Sequence, residues 1–359
     1  MNASHHAILL IDDERDKLEN LAALVETEVG PGKVGQWYPS GDEDPSETFQ
    51  RMVGEGTELV VTDYDLTTAV KGLFGHSVVA WCQNRFIPVG DFSRGHRGAL
   101  STEPDLFELR VPREEADAVK YIVRMYDGFG RIRAGIEDKR VMLSDGRSAA
   151  QVLAALLGDA NLESQLGPYM SKPGLFNSSL LDTLKTGATT ADKTRLLTYI
   201  LGHVLVNAVL KYPGPILAEG PFCAYLATSR NDIDKVSGLF DAATYKGPFD
   251  NGERLFWRDD VDAVVEHLAA RLEVEDSNYE SFGDYHRAVI DKALDGTLTT
   301  HECDRCNGVK GGFWCPFTKR GVCERPDCSS TASSWLPSGA FACRVERVFF
   351  DEWSPILGL

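Results

Sequence analysis

Three aspartates follow two short apolar runs, and their type and spacing could support metal chemistry. Residues 7–11 are all apolar and end on Asp12 and Asp13, while residues 58–62 lead into Asp63. In an open α/β sheet, ligands bind beyond the carboxyl ends of the strands. If the two runs are neighbouring parallel strands, the three carboxylates converge and repel one another unless a cation such as Mg²⁺ lies among them. The alternative is that these aspartates only cap the helices that follow.

A second group of candidate ligands lies near the end of the chain. Six of the eight cysteines fall within the last 60 residues, at short spacings. In a reducing compartment such spacings indicate metal binding before disulfides, and four thiolates suit a structural, tetrahedral Zn²⁺. Two closely spaced pairs of cysteines favour one set of four zinc ligands, for which His301, Cys315 and Cys343 are possible substitutes. The alternative is that these cysteines are buried free thiols. The favoured zinc ligands are Cys303, Cys306, Cys323 and Cys328.

Alternating strand and helix patterns must position the aspartates. Apolar runs of strand length alternate with segments in which apolar residues recur at helical spacing. This alternation predicts an α/β fold with a doubly wound parallel sheet. The predicted helices cover 16–28, 46–53, 72–84 and 114–125, and the strands lie near 7–11, 33–38, 58–62, 87–92 and 106–111.

The length of 359 residues predicts two or three domains. In the segment 147–298, His203 and Asn207 share one helical face. They are either a ligand or catalytic couple, or a polar contact inside a helical bundle. The expected organisation is an α/β domain over 1–130, a linker over 131–146, a mainly helical domain over 147–298 and a cysteine-rich zinc module over 299–359.

Composition restricts the partners. The net charge is -17 and the pI about 4.9, which disfavours a general affinity for nucleic acid or for anionic membranes. No apolar run has the length of a bilayer crossing, and we expect a cytoplasmic protein. Aromatic and basic residues lie together between Lys310 and Arg320, so nucleic-acid binding through the zinc module is an alternative. The apolar segment 349–359 is expected to dock on this chain or on a partner.

Residues 1–130 resemble the receiver domain of two-component response regulators. The resemblance depends on the sequence AILLIDDE at 7–14, on Asp63 and on IPVGDFS at 87–93. It implies a flavodoxin-like strand order, with Mg²⁺ held by Asp12, Asp13 and Asp63. It also implies that Asp63 accepts a phosphoryl group from a sensor histidine kinase. Ser93 would bond that phosphoryl group, and Asp65 would offer a backbone carbonyl to the metal.

The chain departs from the receiver pattern in its last two strands. Receivers carry a lysine before a proline after the last strand, and here Val111 stands in that place with Arg110 one residue earlier. Arg94 follows Ser93 where receivers have a small residue. Gly90 and Asp91 lie in a strand that is apolar in the family.

These observations predict a signalling protein of the response-regulator type, not an enzyme. Asp63 would be phosphorylated by a kinase, and the signal would pass to the helical and zinc regions through protein contacts. The alternatives are a receiver that no longer switches and acts as an interaction scaffold, or a nucleic-acid binder that uses its zinc module.

Overall fold

The chain forms two compact units that interleave in sequence. One unit comprises Met1–Arg147 and Pro173–Asn207, and the other comprises Ser148–Lys172 and Ala208–Leu359. This division differs from the four consecutive segments expected from the sequence. The computed structural model describes residues 6–92, 106–138, 148–170, 189–279, 281–299, 303–306, 312–332 and 335–357.

The first unit contains a five-stranded parallel sheet in the order β2-β1-β3-β4-β5. The second unit contains three antiparallel strand pairs among its described residues, β6 with β7, β8 with β9 and β10 with β11. The strands are β1 (Ile8–Ile11), β2 (Val34–Trp37), β3 (Leu59–Asp63), β4 (Val89–Phe92), β5 (Leu109–Val111), β6 (Ile216–Ala218), β7 (Leu255–Trp257), β8 (Phe313–Cys315), β9 (Arg320–Val322), β10 (Ser329–Ser330) and β11 (Val345–Glu346).

Helices accompany the sheet of the first unit and also occur in the second unit. Several begin at side-chain caps, such as Asp44, Ser148 and Thr189, which accept hydrogen bonds from the first turn. The helices are α1 (Arg15–Val29), α2 (Pro45–Met52), α3 (Gly75–Gln83), α4 (Glu115–Asp138), α5 (Ala149–Leu157), α6 (Glu163–Met170), α7 (Thr190–Val204), α8 (Glu219–Tyr225), α9 (Ile233–Ser237), α10 (Arg258–Leu272), α11 (Phe282–Ala293) and α12 (Arg347–Leu357).

The sheet of the first unit is the frame on which the aspartates rest. Every residue of β1 and β3 is buried, as expected for central strands covered on both faces. On one face, Leu9, Ile11 and Val60 pack into a core with the side chain of Phe49. This packing fixes where β1 and β3 end, and therefore where Asp12, Asp13 and Asp63 lie.

Residues 131–138, which the sequence analysis assigned to a linker, are the last part of α4. Ile132 and Ile136 are buried in the first unit, so the stretch has the apolar face of a packed helix. Its charged residues pair one turn apart on the other face, with 3.3 Å between Arg133 Nε and Glu137 Oε1. The remaining positions of the expected linker, 139–146, lie outside the described residues.

The His203 and Asn207 pair lies in the interior of the first unit. The Asn207 amide donates to the carbonyls of Leu106 and Glu108 at 2.7 and 2.9 Å, and it lies 3.3 Å from His203 Nδ1. Burial lowers the pKa of His203 to about 3, so this histidine is neutral at physiological pH. The pair is therefore a polar contact inside the core, surrounded by the rings of Phe107, Phe129 and Tyr199.

The second unit has its own core. Phe222 and Phe256 stack with their ring centroids 4.0 Å apart, and α10 and α11 pack against them. The expected docking of the chain end is confirmed, because Phe349 of α12 stacks on Phe317 of the same unit with 5.2 Å between centroids. Within the described part of the chain, no helix combines the length and apolar character needed to cross a membrane.

Candidate metal centres

The acidic group forms at the carboxyl edge of the parallel sheet. Carboxylate oxygens of Asp12, Asp13 and Asp63 all lie within 4.8 Å of one another, and all three residues are buried. The three therefore converge because β1 pairs directly with β3. Buried carboxylates at this separation are suitable oxygen ligands for a small hard cation such as Mg²⁺.

Local hydrogen bonds orient the first two carboxylates. Asp12 Oδ1 accepts from the backbone N–H of Glu14 at 2.8 Å, which fixes the turn that precedes α1. Asp13 Oδ2 accepts from the backbone N–H of Thr68 at 3.1 Å, in the loop after β3. Asp12 thus shapes the turn before α1 and does not cap the helix, since its N-cap residue Glu14 has no side-chain cap hydrogen bond. Each carboxylate has a second oxygen for another partner.

Asp63 is held by close backbone packing at the start of α3. The N–H of Gly75 donates to the carbonyl of Tyr64 at 2.9 Å. A Cβ atom at residue 75 would lie 2.3 Å from the carbonyl oxygen of Asp63, so only glycine fits there without a backbone shift. The acidic edge therefore depends on a direct contact between α3 and the end of β3.

Lys17, in the first turn of α1, brings a positive charge to the acidic group. Its Nζ lies 3.0 Å from Asp12 Oδ2 and 5.5 Å from the ring centroid of Phe92. Burial acts to lower the pKa of Lys17, but its hydrogen bond to Asp12 and the charges of Asp12 and Asp63 outweigh burial and raise it. The carboxylates thus have a cation from their own chain.

The departures from the receiver pattern in β4 and β5 form two matched pairs. Asp91 is in register with Arg110, so opposite charges lie on the same face of neighbouring strands. A Cβ atom at Gly90 would lie 2.8 Å from Val111 Cγ2, so the glycine makes room for the valine side chain. Each unusual residue in β4 therefore compensates for one in β5.

The receiver resemblance also assigned roles to Asp65, which the structure describes, and to Ser93, which it does not. Asp65 follows the acidic edge and forms an isolated antiparallel bridge with Phe74. Its Oδ1 accepts from the backbone N–H of Thr67 at 3.1 Å and from the hydroxyl of Thr67 at 2.5 Å. Ser93 lies outside the described residues, as does Arg94.

The second candidate centre is the cysteine cluster of the second unit. The sulfur atoms of Cys303, Cys306, Cys323 and Cys328 all lie within 4.8 Å of one another. Cys306 and Cys323 have their sulfurs 3.8 Å apart. Tetrahedral geometry with Zn–S bonds of about 2.3 Å requires sulfur separations of about 3.8 Å. The cluster could therefore hold a metal ion such as zinc.

Backbone N–H groups orient the sulfurs of this cluster, and burial changes the pKa of its thiols. Cys303 Sγ accepts from the backbone N–H groups of Arg305 and Cys323, each at 3.4 Å. Such bonds orient thiolate ligands. Burial is the largest cause that raises the pKa of Cys323 and of Cys328. A bound cation would reverse this effect by stabilising the thiolates.

The substitute ligands lie outside this group of four. Cys315 is buried beside it, and its sulfur accepts from the backbone N–H of Glu346 at 3.2 Å. Cys343 contacts the carbonyl of Pro213 through its sulfur at 3.8 Å. His301 lies outside the described residues. The two closely spaced pairs are therefore the cysteines that the structure brings together.

Sequence reasoning missed Lys17. The position of Lys17 in the sequence could have placed it beside the aspartates, because a residue in the first turn of a helix that follows a strand lies near the carboxyl end of that strand. Charge pairing with an aspartate five positions earlier is not a helical spacing, so pattern analysis did not associate Lys17 with Asp12.

No family model, curated protein or solved structure matches this chain. The function must therefore be inferred from its own residues.

Proposed function

We propose that this chain is a signalling protein of the response-regulator type, with Asp63 as the phosphoacceptor. The observation that carries the proposal is the convergence of Asp12, Asp13 and Asp63 at the carboxyl edge of a parallel sheet. The strand order β2-β1-β3-β4-β5 supports it, because flavodoxin-like folds share this order. Their ligands bind outside the carboxyl ends of the strands, where these aspartates lie.

The proposed step is phosphoryl transfer from a kinase phosphohistidine. A carboxylate oxygen of Asp63 attacks phosphorus, the P–N bond breaks, and the imidazole nitrogen keeps the electron pair and takes up a proton. Asp12, Asp13 and Asp63 would hold Mg²⁺, which neutralises charge on the phosphoryl oxygens. The aspartyl phosphate then biases the first unit toward one of two arrangements, and protein contacts of the helical and zinc-binding regions transmit the change.

The test is phosphorylation of the full chain by a small phosphodonor. Purified protein is incubated with acetyl phosphate and Mg²⁺, and intact mass reports the added phosphoryl groups. We expect one added group in the natural protein and none in Asp63→Asn. Asp65→Asn is the matched control, because its amide oxygen can still accept from Thr67 and phosphorylation should persist. Labelling that survives in Asp63→Asn would contradict the assignment.

A second candidate function has its own supporting observations. Val111 stands where receivers have their lysine, and Lys17 already neutralises part of the acidic group. In this alternative the first unit keeps the receiver architecture but does not switch, and the chain acts as a scaffold for a protein partner. Failure of phosphorylation in natural protein that still binds Mg²⁺ would favour the scaffold.

For the cysteine cluster we propose a structural zinc ion in either case. Four thiol ligands complete a tetrahedron and leave no position for a substrate. Metal analysis of the purified chain should find one zinc per molecule, and Cys306→Ser should lower that content. A chain purified with full occupancy of another metal would contradict the choice of zinc.

A further inference from the structure

A cavity lies in the first unit at the opposite end of the sheet from the acidic group. Its volume is about 190 Å³, and Glu58 lines it just before β3 begins. Asp63 ends the same strand five residues later, so the cavity and the aspartates are separated by about 16 Å along β3. The remaining walls come from the segment before β4 and from α4 and α7.

One wall of the cavity is aromatic. Phe86, Phe129 and Tyr199 line it, and the ring centroids of Phe86 and Tyr199 are 6.0 Å apart. Phe86 has a φ of 54°, a left-handed conformation that glycine adopts far more readily. A large ring occupies this strained position after α3. The conformation closes the last turn of α3, because the N–H of Ile87 donates to the carbonyl of Cys82 at 3.0 Å.

The opposite wall contains two arginines in different situations. Arg133 Nη1 lies 2.8 Å from Glu58 Oε1, and Arg133 also pairs with Glu137. Arg195 donates to the backbone carbonyl of Glu55 at 2.7 Å, but among the described residues no carboxylate lies within ion-pair distance of it. Burial, and then the like charge of Arg133, lower the pKa of Arg195. Arg195 therefore has a backbone partner but no ion-paired carboxylate among the described residues, although the nearby charges of Glu55, Asp192 and Glu58 act to raise its pKa.

Two other polar side chains lie near Arg195, those of Asp192 and Thr198. The carboxylate of Asp192 accepts from the N–H and the hydroxyl of Thr189 at the start of α7, at 3.0 and 2.7 Å. Thr198 lies three residues after Arg195 and is only 8% exposed. Its hydroxyl has no hydrogen-bond partner among the described residues, although Thr198 lines the cavity. The oxygen of this hydroxyl is almost fully enclosed by protein atoms, so it is not offered to a ligand in the cavity.

We propose that this cavity binds a small aromatic carboxylate. The guanidinium of Arg195 matches a carboxylate, and the aromatic wall accommodates the ring. The volume suits a ligand smaller than a drug, since drug pockets are about 300–1,000 Å³. Four acidic residues also line the cavity, which disfavours polyanions such as nucleotides: Glu55, Glu58, Glu137 and Asp192. This site goes beyond the proposed phosphorylation and does not depend on it.

Four small molecules test separately whether the cavity recognises the aromatic ring and the carboxylate. Each is titrated into the full chain, and binding is followed by ligand-observed NMR. Benzoate and phenylacetate carry both a ring and a carboxylate, whereas benzamide lacks the charge and acetate lacks the ring. We expect saturable binding of at least one aromatic carboxylate, and at least about tenfold weaker binding of benzamide and acetate. Equal binding of benzamide, or no saturable binding of either aromatic carboxylate, would overturn the proposal.

Variants identify the cavity as the place of binding. Arg195→Gln should weaken binding of the aromatic carboxylates at least about tenfold. The matched control is Lys193→Gln, which removes a positive charge from the same helix at a position that does not line the cavity. Phe86→Gly removes part of the aromatic wall while relaxing the left-handed backbone, so it should weaken binding without unfolding the unit. Equal losses in Arg195→Gln and Lys193→Gln would indicate a general charge effect and contradict the site.

Discussion

The two candidate metal centres are built in opposite ways. The aspartates lie at the ends of β1 and β3, above a core whose strand residues Ile8–Ile11 are at most 1% exposed. In the cysteine region, the fully buried cluster consists of Val322 and four cysteines, with Cys306, Phe313 and Phe317 partly buried against it; the four are Cys303, Cys315, Cys323 and Cys328. Its strands have only two or three residues each. One centre rests on a hydrophobic core, and in the other the cysteines replace such a core.

Because of this difference, the loss of a metal should affect the acidic site and the cysteine region differently. The aspartates keep their positions through backbone packing, and Lys17 already supplies a cation. The thiols are brought together without comparable apolar support, so a metal would provide cross-links that the local sequence does not. We therefore expect the acidic site to form without a metal, whereas the cysteine region should fold only when a metal is bound.

The largest expected effect is the removal of metal from the cysteine region. Zinc binding to small domains amounts to about 10–16 kcal/mol, far more than this small cluster can gain from burial. A chelator, or the substitution Cys303→Ser, should therefore abolish hydrogen-exchange protection in β8 to β11 while leaving β1 and β3 protected. Cys343→Ser is the control, because this cysteine is buried outside the group of four. Unchanged protection after metal removal would show that the region folds by itself.

A smaller effect is expected at the acidic site from the substitution Gly75→Ala. The added Cβ would lie 2.3 Å from the carbonyl oxygen of Asp63, so α3 or the end of β3 must move. Overpacking of this kind costs about 1–3 kcal/mol, and thermal unfolding should detect it. The control is Gly130→Ala in α4, where the new Cβ has nothing within 4 Å among the described residues. There the better helix propensity should stabilise by up to about 1 kcal/mol.

If Gly75→Ala proves neutral, the edge of the sheet is more compliant than its packing indicates. The acidic site would then resemble the cysteine region, and its geometry would need a bound ion.

Local patterns predicted the elements that carry both centres. Buried runs ending on Asp12, Asp13 and Asp63 marked two strands, since strands covered on both faces need continuous apolar residues. The spacing of Cys303, Cys306, Cys323 and Cys328 selected the thiols that lie together. These predictions succeeded because each depended on neighbours in sequence or on a single strand pairing.

Contacts between distant segments could not be predicted in this way. Helix α7 belongs to the first unit although it follows α5 and α6 of the second. Its place depends on contacts such as Arg195 with Glu55, which are 140 residues apart. The compensation between Gly90 and Val111 likewise requires the register of β4 and β5. Sequence patterns identify which residues are unusual, and only the packing shows that they form a pair.

The smallest expected effect concerns the built-in cation of the acidic site. Lys17 and Mg²⁺ would compete for Asp12 Oδ2, from which the lysine Nζ is 3.0 Å away. Lys17→Met keeps the aliphatic stem and removes the charge, so Mg²⁺ should bind about tenfold more tightly in calorimetric titrations, a gain of about 1.4 kcal/mol. The matched control is Lys33→Met, because Lys33 lies over the Tyr126 ring, away from the aspartates.

Raising the salt concentration should reduce the difference between natural protein and Lys17→Met, because the lysine side chain is 45% exposed and its charge is screened. Unchanged or weaker Mg²⁺ binding in Lys17→Met would mean that the amine supports the metal site and does not compete for it. The acidic centre would then need Lys17 as a component. The aspartates would then need a partner cation to form the site, as the thiols of the cysteine cluster do.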